Sequence, residues 1–173
     1  MNRRTAIKSL GIASGGLINL PLWMSSCGIS DKKTHQSGFS TEEQDLLAKF
    51  TDIVIPAGNA VGALSMGVDK FLQQLFDDCY EKTVQDNVKK QLSALNTESK
   101  KLFDKSFTAC SQQQGERLLS KLSASTIKDE KDFYTLVKSE TIRGFTTSQK
   151  VMVDYLGYKV APGHYYGSVN IKA

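Results

Sequence analysis

From about residue 40 to residue 155 the apolar side chains recur at three- and four-residue spacing, and nowhere do they alternate strictly. Such spacing collects them on one face of a helix, whereas a half-buried strand needs a period of two. The hairpin dipeptides Asn-Gly and Asp-Gly are absent as well. The expected fold is all-α: a small bundle of about five or six helices, with a glycine-rich loop and an irregular, tyrosine-rich C-terminal tail.

The first helix is expected to open at Ser40-Thr41-Glu42-Glu43, the spacing of a capping box with Ser40 as N-cap and Glu43 reaching back. Leu46, Leu47, Phe50, Ile53 and Val54 form its stripe, and Pro56 ends it. Val68, Phe71, Leu72, Leu75, Phe76 and Cys79 form a second stripe. A third, more polar helix is expected from about Thr83 to Leu95, with Val84, Val88, Leu92 and Leu95 inward. Leu118, Leu119 and Leu122 mark a fourth over residues 112–122. Phe133, Leu136, Val137, Thr141 and Phe145 mark a fifth, from Asp129 to an end near Gly144. A short helix from Thr147 carries Val151, Met152 and Tyr155.

The N-terminal part has a different character. Arg3, Arg4 and Lys8 precede an uncharged apolar stretch from about Leu10 to Met24, the layout of an export signal. At roughly 15 residues the stretch is shorter than the ~20 that span a bilayer. The adjacent arginines point to the twin-arginine route, although Ala6 stands where such signals prefer Phe; an ordinary secretory signal beginning with two arginines is the alternative. Met24-Ser25-Ser26-Cys27-Gly28 resembles a lipobox, with Cys27 as the thiol that would receive diacylglycerol. The alternative is a cysteine lying close to a general cleavage site. The chain is expected to divide into a signal over residues 1–26, a polar tether over 27–39 and a helical domain over 40–173. The expected location is the periplasmic side of a membrane, held there by lipid.

Charge excludes one class of function. The chain has 22 basic and 18 acidic groups, but Arg3, Arg4 and Lys8 fall within the signal, which contains no acid. Nearly balanced charge on the mature part, without a basic patch interleaved with aromatics, argues against nucleic acid. Cys79 and Cys110 remain once Cys27 is set aside. They could pair in an oxidising compartment or stay as two buried free thiols.

Little in the chain suggests chemistry of its own. The two histidines, His35 and His164, have no metal-ligand spacing. Asp77 and Asp78 are adjacent on a helix and so point apart. Neither a catalytic, a cofactor-binding nor a metal-binding residue is assigned. Two segments stand outside the helical pattern. Residues 56–68 carry Gly58, Gly62 and Gly67 among small apolar residues, a loop that can approach another backbone closely. It lacks the Gly-Lys-Ser/Thr ending of a phosphate-binding loop. The tail after Gly157 carries Tyr158, Tyr165 and Tyr166 with Pro162-Gly163, and suits either a partner interface or packing over its own helices.

Ile53-Val54-Ile55-Pro56, then Gly62-Ala63, Gly67-Val68 and Phe71, resembles the signature of the gluconate 2-dehydrogenase subunit 3 family. A second block is similar too: Gly144-Phe145-Thr146-Thr147-Ser148, Tyr155-Leu156-Gly157-Tyr158, and Pro162-Gly163 followed by Tyr165 and Gly167. The resemblance implies a small, non-catalytic subunit of a membrane-associated dehydrogenase that oxidises sugars or sugar acids. It implies a large partner of the glucose-methanol-choline type that holds FAD, often with a c-type cytochrome as electron acceptor. The small subunit would then support export and maturation of the folded, FAD-loaded partner. Pro56, Gly62, Ala63, Gly67, Val68, Pro162, Gly163, Tyr165, Tyr166 and Gly167 are the expected partner interface. The competing reading is a free-standing helical envelope lipoprotein that binds a small ligand or another envelope protein.

Overall fold

The structure, a computed structural model, describes residues 37–161 together with Gly163 and Ser168. Among these residues the regular structure is entirely helical. The α-helices are α1 (Thr41–Val54), α2 (Val68–Cys79), α3 (Lys82–Phe103), α4 (Gln112–Ser123) and α5 (Lys128–Thr146). Single 3-10 turns occupy Leu64–Met66 and Phe107–Ala109, and a π-helical turn occupies Val151–Tyr155. The expected all-α bundle is the observed fold. None of the described helices is long and apolar enough to cross a membrane.

Local sequence starts α1 and α4 in the same way. The Ser40 N–H donates to Glu43 Oε2 at 2.7 Å while Ser40 Oγ accepts from the Glu43 N–H at 3.3 Å. Ser111 and Gln114 make the same reciprocal pair ahead of α4. Each box satisfies two N–H groups that the first turn would otherwise leave without partners. The third helix ends at Asp104, a non-glycine residue in the left-handed region with φ 54°.

α1 is the hub, in contact with each of the other four helices. Leu47 and Phe50 are fully buried there, and the Phe50 ring meets Phe133 of α5 edge-on at 5.7 Å. Phe76, Leu72, Val88, Leu92, Phe107 and Val137 complete a single core. Each such side chain contributes roughly 1.5–3 kcal/mol by leaving water.

The expected boundaries shift in two places. First, α3 runs two turns beyond Leu95, through Asn96-Thr97-Glu98-Ser99-Lys100-Lys101. That stretch has no apolar period, yet Asn96 and Ser99 are buried. Asn96 Oδ1 accepts from the Phe107 N–H at 3.0 Å, and Ser99 Oγ donates to the Lys105 carbonyl at 2.9 Å. The returning chain supplies the partners that make these polar positions suitable for burial. Second, the compact unit begins at Ser37, not at Ser40. Phe39 is buried against Phe76 with ring centroids 6.2 Å apart, and the Lys89 ammonium sits 5.0 Å over its ring. Ser37 Oγ and the Gly38 N–H both donate to Asp77 Oδ2, and Lys89 Nζ donates to the Gly38 carbonyl. The last three residues of the expected tether are thus a strap fastened to α2 and α3. The rest of the tether lies outside the described residues.

Cys79 and Cys110 are both free thiols, the second of the two alternatives, but only Cys110 is buried. Cys110 sits in the core with its sulfur 3.0 Å from Ser99 Oγ. Cys79, expected on the apolar stripe, ends α2 on the solvent side.

Candidate partner interface

The glycine loop is closed upon itself. The Ala63 N–H donates back to the Ile55 carbonyl at 2.9 Å, and Val68 N–H to the Ala63 carbonyl at 3.2 Å. A Cβ on Gly62 would lie 2.5 Å from Ala57 N and 2.9 Å from Pro56 C. A close backbone approach of the kind expected of Gly62 occurs within the loop itself. Ala63 and Val68, two more of the expected interface residues, are buried in the core. Gly67 has φ 69° and open space around it, so its role is to turn the chain into α2. Of the first block, Pro56 and its neighbours remain exposed, and so does Leu64 on the 3-10 turn.

The second motif block folds onto the first. Gly144 is buried in the last turns of α5, which passes through it to Thr146. A Cβ there would fall 2.6 Å from Phe71 Cδ1 and 3.3 Å from Val68 Cγ1. Ser148 Oγ then donates to the Phe145 carbonyl at 2.7 Å. The Leu156 N–H reaches the Val151 carbonyl at 3.1 Å, and the Tyr158 N–H the Met152 carbonyl at 2.8 Å. The expected short helix is thus present, and it is π-helical over Val151–Tyr155. A shallow hollow separates the π-helical turn from the 3-10 turn, lined by Ser65, Met66, Ser148, Lys150 and Val153.

Solvent-facing apolar side chains concentrate here. Among the described residues nine large ones are exposed, and five of them, Val153, Tyr155, Leu156, Tyr158 and Val160, lie between residues 153 and 160. Leu64 lies on the 3-10 turn that borders the hollow, and Ile142 lies near the end of α5. Tyr155, expected on the stripe of the last helix, is exposed, and Leu64 and Val153 are exposed although nothing in the sequence singled them out.

Near the end of α5 is a charged cluster that periodicity could not reveal. The Tyr80 hydroxyl donates to Glu140 Oε1 at 3.0 Å, and Arg143 Nη2 lies 2.6 Å from Glu140 Oε2. Burial raises the Tyr80 pKa above its ordinary value, and the hydrogen bond to Glu140 and the charge of that carboxylate act in the same direction. The Arg143 guanidinium also lies 6.0 Å over the Phe71 ring. Of the two adjacent aspartates, Asp77 receives the N-terminal strap through its carboxylate.

Of the remaining expected positions, Gly163 is exposed with φ 76°. Arg3, Arg4, Lys8, Cys27, Pro162, Tyr165, Tyr166 and Gly167 lie outside the described residues.

Fold and surface together define a class: a small all-α protein that joins two motif blocks by glycine packing and presents apolar side chains beside them. The chain belongs to the gluconate 2-dehydrogenase subunit 3 family, whose model matches residues 41–163 and so covers all five α-helices and the π-helical turn. No curated protein and no solved structure matches it.

Proposed function

We propose that the chain is the small, non-catalytic accessory subunit of a flavoprotein dehydrogenase that oxidises sugars or sugar acids. The match to the subunit 3 family over residues 41–163 carries this reading. FAD would reside in a large partner of the glucose-methanol-choline type, with a c-type cytochrome as a further component. The surface from Leu64 across the hollow to Val160 is the proposed contact with that partner, because exposed apolar side chains gain most by leaving water together. Tyrosines within it supply contact area and a hydroxyl at small entropic cost.

Export belongs to the same proposal. A flavoprotein that acquires FAD before crossing a membrane must cross it folded. A bound small subunit with Arg3-Arg4 could direct both chains to the twin-arginine route, and a lipidated Cys27 could then hold the complex at the periplasmic face.

The test is co-purification from the native envelope with a tagged full-length chain. A captured protein that releases FAD on denaturation supports the accessory-subunit reading. Capture of no flavoprotein would reject it in favour of a free-standing lipoprotein. Truncation after Gly157 or Tyr155→Ala is expected to weaken capture while circular dichroism stays helical, since these residues lie outside the buried core.

A further inference from the structure

We propose that a cavity between α3, α4 and α5 binds a small neutral alcohol or phenol whose hydroxyl donates to Gln91. The site shares no residue with the hollow or with the exposed apolar side chains described above, and it does not rest on the accessory-subunit reading. Its apolar walls are Ala94 and Leu95 of α3 with Leu118 and Leu122 of α4, and Gln91 of α3 borders it too. At about 170 Å³ the cavity is close to the ~150 Å³ that holds a benzene ring. It is more enclosed than the hollow beside the π-helical turn. Apolar walls with a few converging polar groups are the usual make-up of a small-molecule site.

The hydrogen bonds around Gln91 decide what it asks of a ligand. Gln91 is only 6% exposed, and Asn87 lies one turn before it on α3. Asn87 Nδ2 donates to the Asp129 carbonyl at 3.3 Å, which leaves Asn87 Oδ1 as an acceptor. Gln91 Nε2 donates to that oxygen, also at 3.3 Å. The amide is thereby oriented, and Gln91 Oε1 accepts no hydrogen bond among the described residues. Nor is it sealed off, since Glu140 Oε2 is the one described side-chain atom that is both sealed and without a hydrogen bond. A largely buried acceptor that opens to a cavity gains most from a donor. The rim sets the charge of the donor's molecule. Lys121 of α4 is engaged by Glu98 of α3, and Glu130 of α5 adds a second carboxylate. One cation against two anions disfavours a carboxylate ligand. An ammonium reaching Gln91 would exchange its water for a single neutral acceptor among leucines, which is costly. What fits is a neutral ring or branched chain of benzene size that carries a hydroxyl. Packing alone gives no reason for the arrangement, because an apolar recess needs no oriented amide acceptor.

The experiment titrates phenol, benzene and benzoate into the full-length chain, read by NMR of side-chain amides and leucine methyls. Phenol is expected to bind saturably and to shift the Gln91 amide with the Leu118 and Leu122 methyls. Benzoate should not bind. Gln91→Leu should lower phenol affinity about tenfold relative to benzene affinity, the range of one hydrogen bond. Ala94→Trp, at an exposed position on the cavity wall, should abolish binding of both while circular dichroism stays helical. Absence of saturable phenol binding to wild type would overturn the inference. So would a phenol-to-benzene ratio that Gln91→Leu leaves unchanged, which would make the cavity a packing defect. Shifts confined to residues 153–160 would put phenol on the exposed apolar surface and equally reject the site. If a captured flavoprotein displaces phenol, the cavity belongs to a partner side chain and the small-molecule inference fails. Phenol binding does not depend on capture of a flavoprotein, so failure here leaves the subunit reading intact.

Discussion

Gly144 of α5 lies so close to Phe71 of α2 that a Cβ added to it would sit 2.6 Å from Phe71 Cδ1. Two effects of a Gly144→Ala change oppose one another. Alanine favours the helix by up to ~1 kcal/mol, while forcing a packed ring aside costs ~1–3 kcal/mol. Steric cost should win, giving a net loss of about 1–2 kcal/mol in urea denaturation. Adding Phe71→Leu removes the ring edge, so the double variant should lose less than the sum of the two single changes. Simple additivity would show that the two motif blocks do not depend on this contact.

The two loop glycines should respond to substitution for different reasons. Gly67→Ala adds strain at φ 69° but meets no atom, and should cost ~1–2 kcal/mol. Gly67→Asn should cost less, since asparagine tolerates the left-handed region. At Gly62 a Cβ meets Ala57 and Pro56 main chain, which cannot rotate away, so Gly62→Ala should cost more than Gly67→Ala. Equal melting temperatures for the two alanine variants would contradict this ordering.

The strap ahead of α1 should behave as part of the domain. Phe39→Ala removes a buried ring that packs on Phe76, and a loss of ~3–5 kcal/mol is expected. Asp77→Asn keeps an acceptor for Ser37 and Gly38 but removes the charge, and should cost far less. A chain starting at Ser40 should melt well below one starting at Ser37. Matching melting curves would return residues 37–39 to the tether.

Thiol reactivity separates the two cysteines. A maleimide should label Cys79 in the folded protein and reach Cys110 only after denaturant is added, because Cys79 is exposed and Cys110 is buried beside Ser99. Oxidised protein that shows neither thiol after unfolding would instead reveal a bridge between them.

Export can be tested at the N-terminal segment. Replacing Arg3 and Arg4 together by Lys should keep the chain in the cytoplasm, whereas inhibiting the general secretory route should not. Mass spectrometry should find an acylated Cys27, and Cys27→Ser should release the protein from membranes. Normal export of the double-lysine variant would remove the twin-arginine reading.

Where a residue's role depends on its near neighbours in the chain, the sequence was sufficient. Ser40 and Glu43 meet because they are three residues apart, and the stripes of α1, α2, α4 and α5 follow from helix period. All-α architecture and family membership could therefore be read from residues alone. What could not be read is which surface a distant segment covers. Polar Asn96 and Ser99 became interior only when residues 105–107 returned to bond them, and Phe39 only when α2 and α3 closed beneath it. The tertiary structure likewise turned Gly62 inward onto its own loop, set Gly144 against Phe71, and placed Arg143 over that ring. Period and capping act over one turn of chain, while close packing and hydrogen-bond satisfaction act between atoms that the sequence holds far apart.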